Sequence, residues 1–133
     1  MAAEERAALA TELLNELKEQ KKPVPGFGHP IHTEGDPRVA RLIEIVKSTD
    51  TRGDYLEALD VLVPAVEQVT GKKLVVNVSA AIAVALGEAG VDARAMRGLI
   101  LTARCAGLAG HIFEEMQSPL AETAWRSAEK ELQ

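Results

Sequence analysis

Pro23-Val24-Pro25-Gly26-Phe27-Gly28-His29-Pro30-Ile31-His32-Thr33-Glu34-Gly35-Asp36-Pro37 is the one long stretch that cannot form a regular element, and the sequence on both sides of it reads as helix. Three prolines remove backbone donors between Pro23 and Pro30, and Gly26, Gly28 and Gly35 loosen the chain. Upstream, Ala2 to Lys22 carries Leu9, Leu13, Leu14 and Leu17 at helical spacing, with charge on the other face. Lys21 and Lys22 suit the negative C-terminal end, and Pro23 stops the helix. Downstream, Asp36 has the chemistry of an N-cap and Pro37 that of a first-turn proline. The helix they open is expected to reach Lys47 and to bury Val39, Leu42, Ile43 and Val46.

The same reading extends outward. Asp54 to Thr70 predicts a helix kinked or broken at Pro64, with Gly71 as its stop. Lys72-Lys73-Leu74-Val75-Val76 reads as a short extended connector for which no partner strand is evident. Asn77 to Glu88 is an Ala-rich helix ended by Gly90, and Asp92 caps the next. Ala93 to Gln117 is apolar almost all round, which predicts a central, buried helix. Pro119 opens a last amphipathic helix to about Glu131. The expected fold is all-α, with six or seven helices and no significant sheet. It is read as one helical domain over 1–133, with lead-in helix 1–22, main body 23–118 and C-terminal helix 119–133.

Composition narrows the function. The 133 residues carry a net charge of -5, and no basic stripe is present to neutralise phosphates, so nucleic acid is not an expected partner. The N-terminus lacks the basic and apolar regions of a signal peptide, and charge interrupts the apolar stretches, so neither export nor a membrane span is expected. A single cysteine, Cys105, excludes an internal disulfide framework and fits a cytoplasmic setting; it reads as a small core residue.

Chemistry gathers at two places. Arg97, Arg104 and His111 recur every seven residues, roughly 10 Å apart at each step on one side of a helix. Glu115 continues that line. A guanidinium in a buried helix needs an anion, either a structural carboxylate such as Glu88 or Glu115 or a ligand carboxylate held by two parallel hydrogen bonds. In the loop, glycine and proline on either side of His29 fix its backbone and can present the imidazole to a cleft as a donor to a carbonyl or carboxylate oxygen. His29 and His32 with Glu34 or Asp36 make a poor metal set, because the spacing is not helical and no cysteine pair supports it. No metal is expected, and His32 reads as capped or solvated. Gly26 and Gly28 lack the strand, lysine and hydroxyl of a phosphate-binding loop, but leave amides open to a flat ligand.

Together these features resemble the citrate synthase family. The stretch Gly26 to Arg38 fits the family signature at each defined position. Asn77-Val78-Ser79 falls where the family has Asn-Val-Asp, and Ala103-Arg104-Cys105-Ala106-Gly107 with His111 and Glu114-Glu115 matches the following long helix. The likeness runs from about Pro23 to Pro119. It implies the fold of the citrate synthase small domain and a reaction that forms or cleaves a carbon–carbon bond between a 2-oxo acid such as oxaloacetate and an acyl-CoA. It implies that His29 bonds the keto oxygen or the citryl hydroxyl, and that Arg38 and Arg104 bind substrate carboxylates. The backbone of Pro25, Gly26, Phe27 and Gly28 would meet the adenine of coenzyme A, and Lys72 its phosphate. Coenzyme A would enter as substrate, with no tightly bound cofactor.

Two departures qualify the resemblance. Ser79 stands where the family has the Asp that deprotonates acetyl-CoA. A neutral hydroxyl cannot replace that base, though it can donate to a thioester oxygen. Thr33 stands where many members have a basic residue. Pro30 after the loop histidine, with the missing Asp, resembles the citryl-CoA lyase-like branch. The family's large domain, with its further catalytic histidine, is not in this sequence, so a large-domain chain or a homo-oligomer is the expected partner. The alternative is a binding or oligomerisation module without catalysis.

Overall fold

The computed structural model describes residues 3–131 and forms two compact units, Met1–Ala93 and Arg94–Gln133. The first holds α1 (Ala3–Glu19), α2 (Pro37–Lys47), α3 (Asp54–Thr70) and α4 (Val78–Glu88); the second holds α5 (Ala93–Gln117), whose first residue closes the first unit, and α6 (Ala121–Glu131). The fold is all-α, as the periodicity predicts. Among the described residues no helix is long and apolar enough to cross a membrane.

In the first unit α1 packs on α3, α3 on α4, and α4 on α2. The α1–α3 core is Ala10, Leu14, Ala65, Val66 and Val69, with Leu17, Val24, Phe27 and Leu74 closing over it. Ala10, Leu14 and Leu17 follow the i, i+4, i+7 rule of a single buried stripe. Leu9 and Leu13 fall off that stripe and stay exposed. Val46 is the buried residue of α2, while Val39, Leu42 and Ile43 are half-buried.

The helix ends follow the local chemistry. Asp36 caps α2, Gly71 ends α3 in the left-handed region, and the Asn77 side chain accepts from the amides of Ser79 and Ala80 at the start of α4. Pro64 does not end α3, which runs through it to Thr70. The end of α1 departs from expectation. Helix stops at Glu19, because Lys21 turns left-handed (φ 51°) and the Lys22 amide reaches back to the Leu17 carbonyl at 2.9 Å. This closing turn normally takes glycine. The expected start at Ala2 lies outside the described residues.

The connector 72–76 does have a partner: the glycine loop. Phe27 and Val76 form an isolated antiparallel bridge. The Gly28 amide donates to the Val75 carbonyl at 2.7 Å, and the Asn77 amide to the Gly26 carbonyl at 2.9 Å. Two irregular segments far apart in sequence thus satisfy each other's backbone groups.

The second unit corrects the expectation of a buried central helix. No residue of α5 is buried, and Arg104 and Cys105 are both exposed. Leu101, Cys105, Leu108, Ile112 and Met116 follow one another at helical spacing, so the apolar residues form a stripe open to solvent. Arg104 is therefore not a desolvated guanidinium. The two acids considered for it are engaged elsewhere. Glu115 accepts from the amides of Leu120 (2.9 Å) and Ala121 (2.9 Å) at the start of α6. Glu88 caps α3, accepting from the amides of Gly53 (2.9 Å), Tyr55 (2.7 Å) and Leu56 (3.1 Å).

Candidate functional site

The loop that carries His29 is pinned on the first turn of α4. Gly26 adopts φ +83°, and a Cβ there would lie 2.8 Å from the Ala80 side chain, so only glycine allows this approach. The Asn77 side chain adds a second tie, its Nδ2 donating to the Gly28 carbonyl at 3.0 Å while its Oδ1 caps α4. One asparagine thus orients the loop and starts the helix that carries Ser79.

These ties bring Pro25, Gly26 and Phe27 to the same cleft as Ser79. It has a volume of about 320 Å³, and Tyr55, Leu59 and Leu62 of α3 with Ala80 and Val84 of α4 complete its apolar wall. Ser79 is exposed in the first turn of α4, where the helix dipole favours negative charge. Phe27 and Gly28 also line a second cleft of about 380 Å³, which holds Lys72.

Beyond Gly28 the loop turns back on the His29 ring. Nδ1 of His29 accepts from the amides of Ile31 (3.1 Å) and His32 (3.0 Å). An imidazole whose Nδ1 is an acceptor carries its proton on Nε2. His29 is thereby held as an Nε2–H donor, the form suited to bonding a substrate oxygen. The His32 ring lies against it, with centroids 4.6 Å apart.

Nitrogen atoms of His29 and His32 and a carboxylate oxygen of Asp36 lie within 4.8 Å of one another. These are metal-ligand types, but the Asp36 oxygens and His29 Nδ1 are already engaged. Asp36 has a fully buried carboxylate whose Oδ1 accepts from the Arg38 amide (3.0 Å) and Nε (2.9 Å), and whose Oδ2 accepts from Arg38 Nη2 (2.7 Å). The Arg38 side chain bonds hold the Asp36 carboxyl down at about 2, against an opposing push from burial; the partner's pKa is raised in turn. A coordinating Nε2 would also require the proton on His29 Nδ1, against both amides.

Arg38, expected to meet a substrate carboxylate, thus has one edge on Asp36. Its side chain remains 52% exposed, and the Nη1 edge points away from that pair. The loop brings His29 and the Asp36–Arg38 pair together, and brings Pro25, Gly26 and Phe27 together with Ser79. Arg104 belongs to the second unit, on α5. Sequence reasoning missed Asn77 as the tie between loop and helix, and Tyr55 in the cleft wall. The first was signalled by an N-cap residue directly after an unpaired extended segment.

Known proteins resemble this chain in sequence and fold. The solved structure of a citryl-CoA lyase from Hydrogenobacter thermophilus matches with a TM-score of 0.69 at 32% sequence identity, over 87% of this chain and 46% of that one. The chain therefore spans just under half the length of that enzyme. Residues 1–127 match the family described as "Citrate synthase, C-terminal domain", and the chain belongs to the citrate synthase family.

Proposed function

We propose that this chain supplies half of a site that cleaves or forms a carbon–carbon bond between a 2-oxo acid of the oxaloacetate type and an acyl-CoA. The direction it favours is lysis of a citryl-CoA-like thioester, completed by a large-domain partner or a second copy. The observation that carries the reading is His29, fixed as an Nε2–H donor beside Arg38 on a loop tied to the first turn of α4. In that role His29 donates to the hydroxyl or keto oxygen at the reacting carbon, and the Nη1 edge of Arg38 takes a carboxylate. Arg104 takes another carboxylate when the site is complete. Pro25, Gly26, Phe27 and Gly28 meet the adenine of coenzyme A, and Lys72 its phosphate.

Ser79 supports the choice of direction. Cleavage of a citryl thioester passes the hydroxyl proton to a base, breaks the carbon–carbon bond to leave the 2-oxo acid and the thioester enolate, and ends with a proton donated to the enolate carbon; with His29 Nδ1 held by two amides and Nε2 carrying its proton, the completing half of the site supplies that base. Synthesis instead begins by removing a proton from the acyl methyl, which a neutral hydroxyl cannot do. Ser79 donates to the thioester oxygen on which the enolate charge develops. The same residue favours a second reading, a binding module without turnover.

The test is ligand-induced stabilisation of the 133-residue chain. Citrate, oxaloacetate and coenzyme A are each expected to raise Tm, and His29→Ala to lessen the response to the two acids while sparing that to coenzyme A. With a large-domain partner present, cleavage of citryl-CoA supports catalysis, and ligand binding without cleavage supports the binding module. No Tm shift with any of the three ligands removes the proposal.

A further inference from the structure

The second cleft lined by Phe27 and Gly28 has a feature that the loop and Ser79 do not account for. Its wall contains Lys18 and Lys22 as well as Lys72, and no aspartate or glutamate. In a chain of net charge -5 this is a local concentration of positive charge. Lys18 lies in the last turn of α1 and Lys22 in the turn that closes it, both outside the motif that identifies the family.

The backbone sets these lysines in place. The left-handed turn at Lys21 brings the Lys22 amide to the Leu17 carbonyl (2.9 Å) and the Lys21 amide to the Lys18 carbonyl (3.0 Å), and Lys18, Lys22, Pro23 and Val24 all line the cleft. Lys18 Nζ donates to the Val69 carbonyl at 2.7 Å, which orders its side chain and uses one of its three N–H donors. The Lys72 amide donates to the Thr70 hydroxyl oxygen at 3.2 Å, which holds the connector at the same rim. Lysines that line one cleft with no acid in its wall favour an anion there. Compact point charges suit a phosphate that accepts from several directions better than a single planar carboxylate.

We propose that Lys18 and Lys22 join Lys72 in a polyphosphate-binding cleft that holds the phosphates of coenzyme A while the adjoining loop holds its base. This rests on the coenzyme reading above and adds α1 to the site. It assigns α1 a part in substrate binding besides its packing on α3.

The experiment separates the two claims by titrating the full chain, by calorimetry, with coenzyme A, with pantetheine, which has no phosphate, and with inorganic pyrophosphate. Wild type is expected to bind coenzyme A more tightly than pantetheine, and the difference to shrink as salt rises. Lys22→Ala is expected to weaken coenzyme A roughly three- to tenfold without changing pantetheine, and Lys22→Arg to restore it. Lys22→Glu is expected to abolish pyrophosphate binding. Lys22 is exposed, so these variants are expected to fold, and thermal melting checks that. Equal binding of coenzyme A and pantetheine by wild type, or coenzyme A affinity unchanged in Lys22→Glu but weakened in Lys72→Glu, overturns the cleft and leaves the coenzyme reading standing. Failure of wild type to bind either thiol compound removes both.

Discussion

Asp36 has a buried carboxylate whose oxygens are both bonded by Arg38, two residues on, and it also starts α2. Because its folded pKa lies near 2 and its ordinary value is 3.8, the unfolded chain binds the proton more readily at intermediate pH. The resulting stability is fully present above about pH 4 and is lost as pH falls through the folded value near 2. Asp36→Asn keeps an N-cap oxygen but removes the charge. It is expected to lower Tm by about 5 °C at pH 7 and to flatten the fall in Tm between pH 4 and pH 2. Thermal melts across that range check it; an unchanged acid limb in Asp36→Asn refutes the assignment. At this scale the sequence was legible where a residue acts on its own neighbours: Asp36 as cap, Pro37 behind it, His29 between glycine and proline. The tautomer of His29 was not, because it depends on which way a proline-containing turn aims the amides of Ile31 and His32.

Helix boundaries set by Pro37, Gly71, Asn77 and Gly90 were also legible, since these residues act locally, whereas the left-handed turn at Lys21 that ends α1 was not. Contacts between elements were not. Nothing in residues 72–76 alone says that their partner is a glycine loop some fifty residues earlier, nor that Glu88 at the end of α4 caps α3. Burial would push the Glu88 carboxyl up, but the amides of Leu56, Gly53 and Tyr55 together with the Thr51 hydroxyl hold it below its ordinary range. The same α3–α4 joint depends on Gly87, buried in α4, against which the Tyr55 ring lies; a Cβ there would come within 2.5 Å of the ring. Alanine is intrinsically better in a helix than glycine by about 1 kcal/mol. Gly87→Ala is nevertheless expected to destabilise by about 1–3 kcal/mol, because the ring must move or the helices separate. Adding Tyr55→Ala is expected to recover part of that loss, which a double-mutant cycle from urea unfolding measures. Additive effects would place the cost elsewhere.

For the whole molecule the decisive quantity is apolar surface left in water. On the second unit Leu101, Leu108, Ile112, Phe113 and Met116 of α5 and Trp125 of α6 are all exposed, Met116 to 76% and Trp125 to 68%. Periodicity identified α5 as apolar, but burial depends on what covers a helix, and its own sequence does not carry that. Exposed apolar area of this extent, at about 25 cal/mol per Å² removed from water, favours association whenever a complementary surface is available. The isolated chain is therefore expected to self-associate reversibly at micromolar to tens of micromolar concentration, seen as a concentration-dependent mass in sedimentation equilibrium. Trp125, the single tryptophan, reports the event, and its emission is expected to shift to the blue as the chain is concentrated. Ile112→Glu with Phe113→Glu is expected to keep the chain monomeric and its helix content unchanged, because neither side chain contributes to a buried core. A monomeric wild type with unshifted emission at high concentration refutes this, and so would a double variant that associates as wild type does. Arg104 lies on the same helix as this stripe, so anything that covers α5 also lowers the dielectric around its guanidinium, which raises the value of a carboxylate partner there.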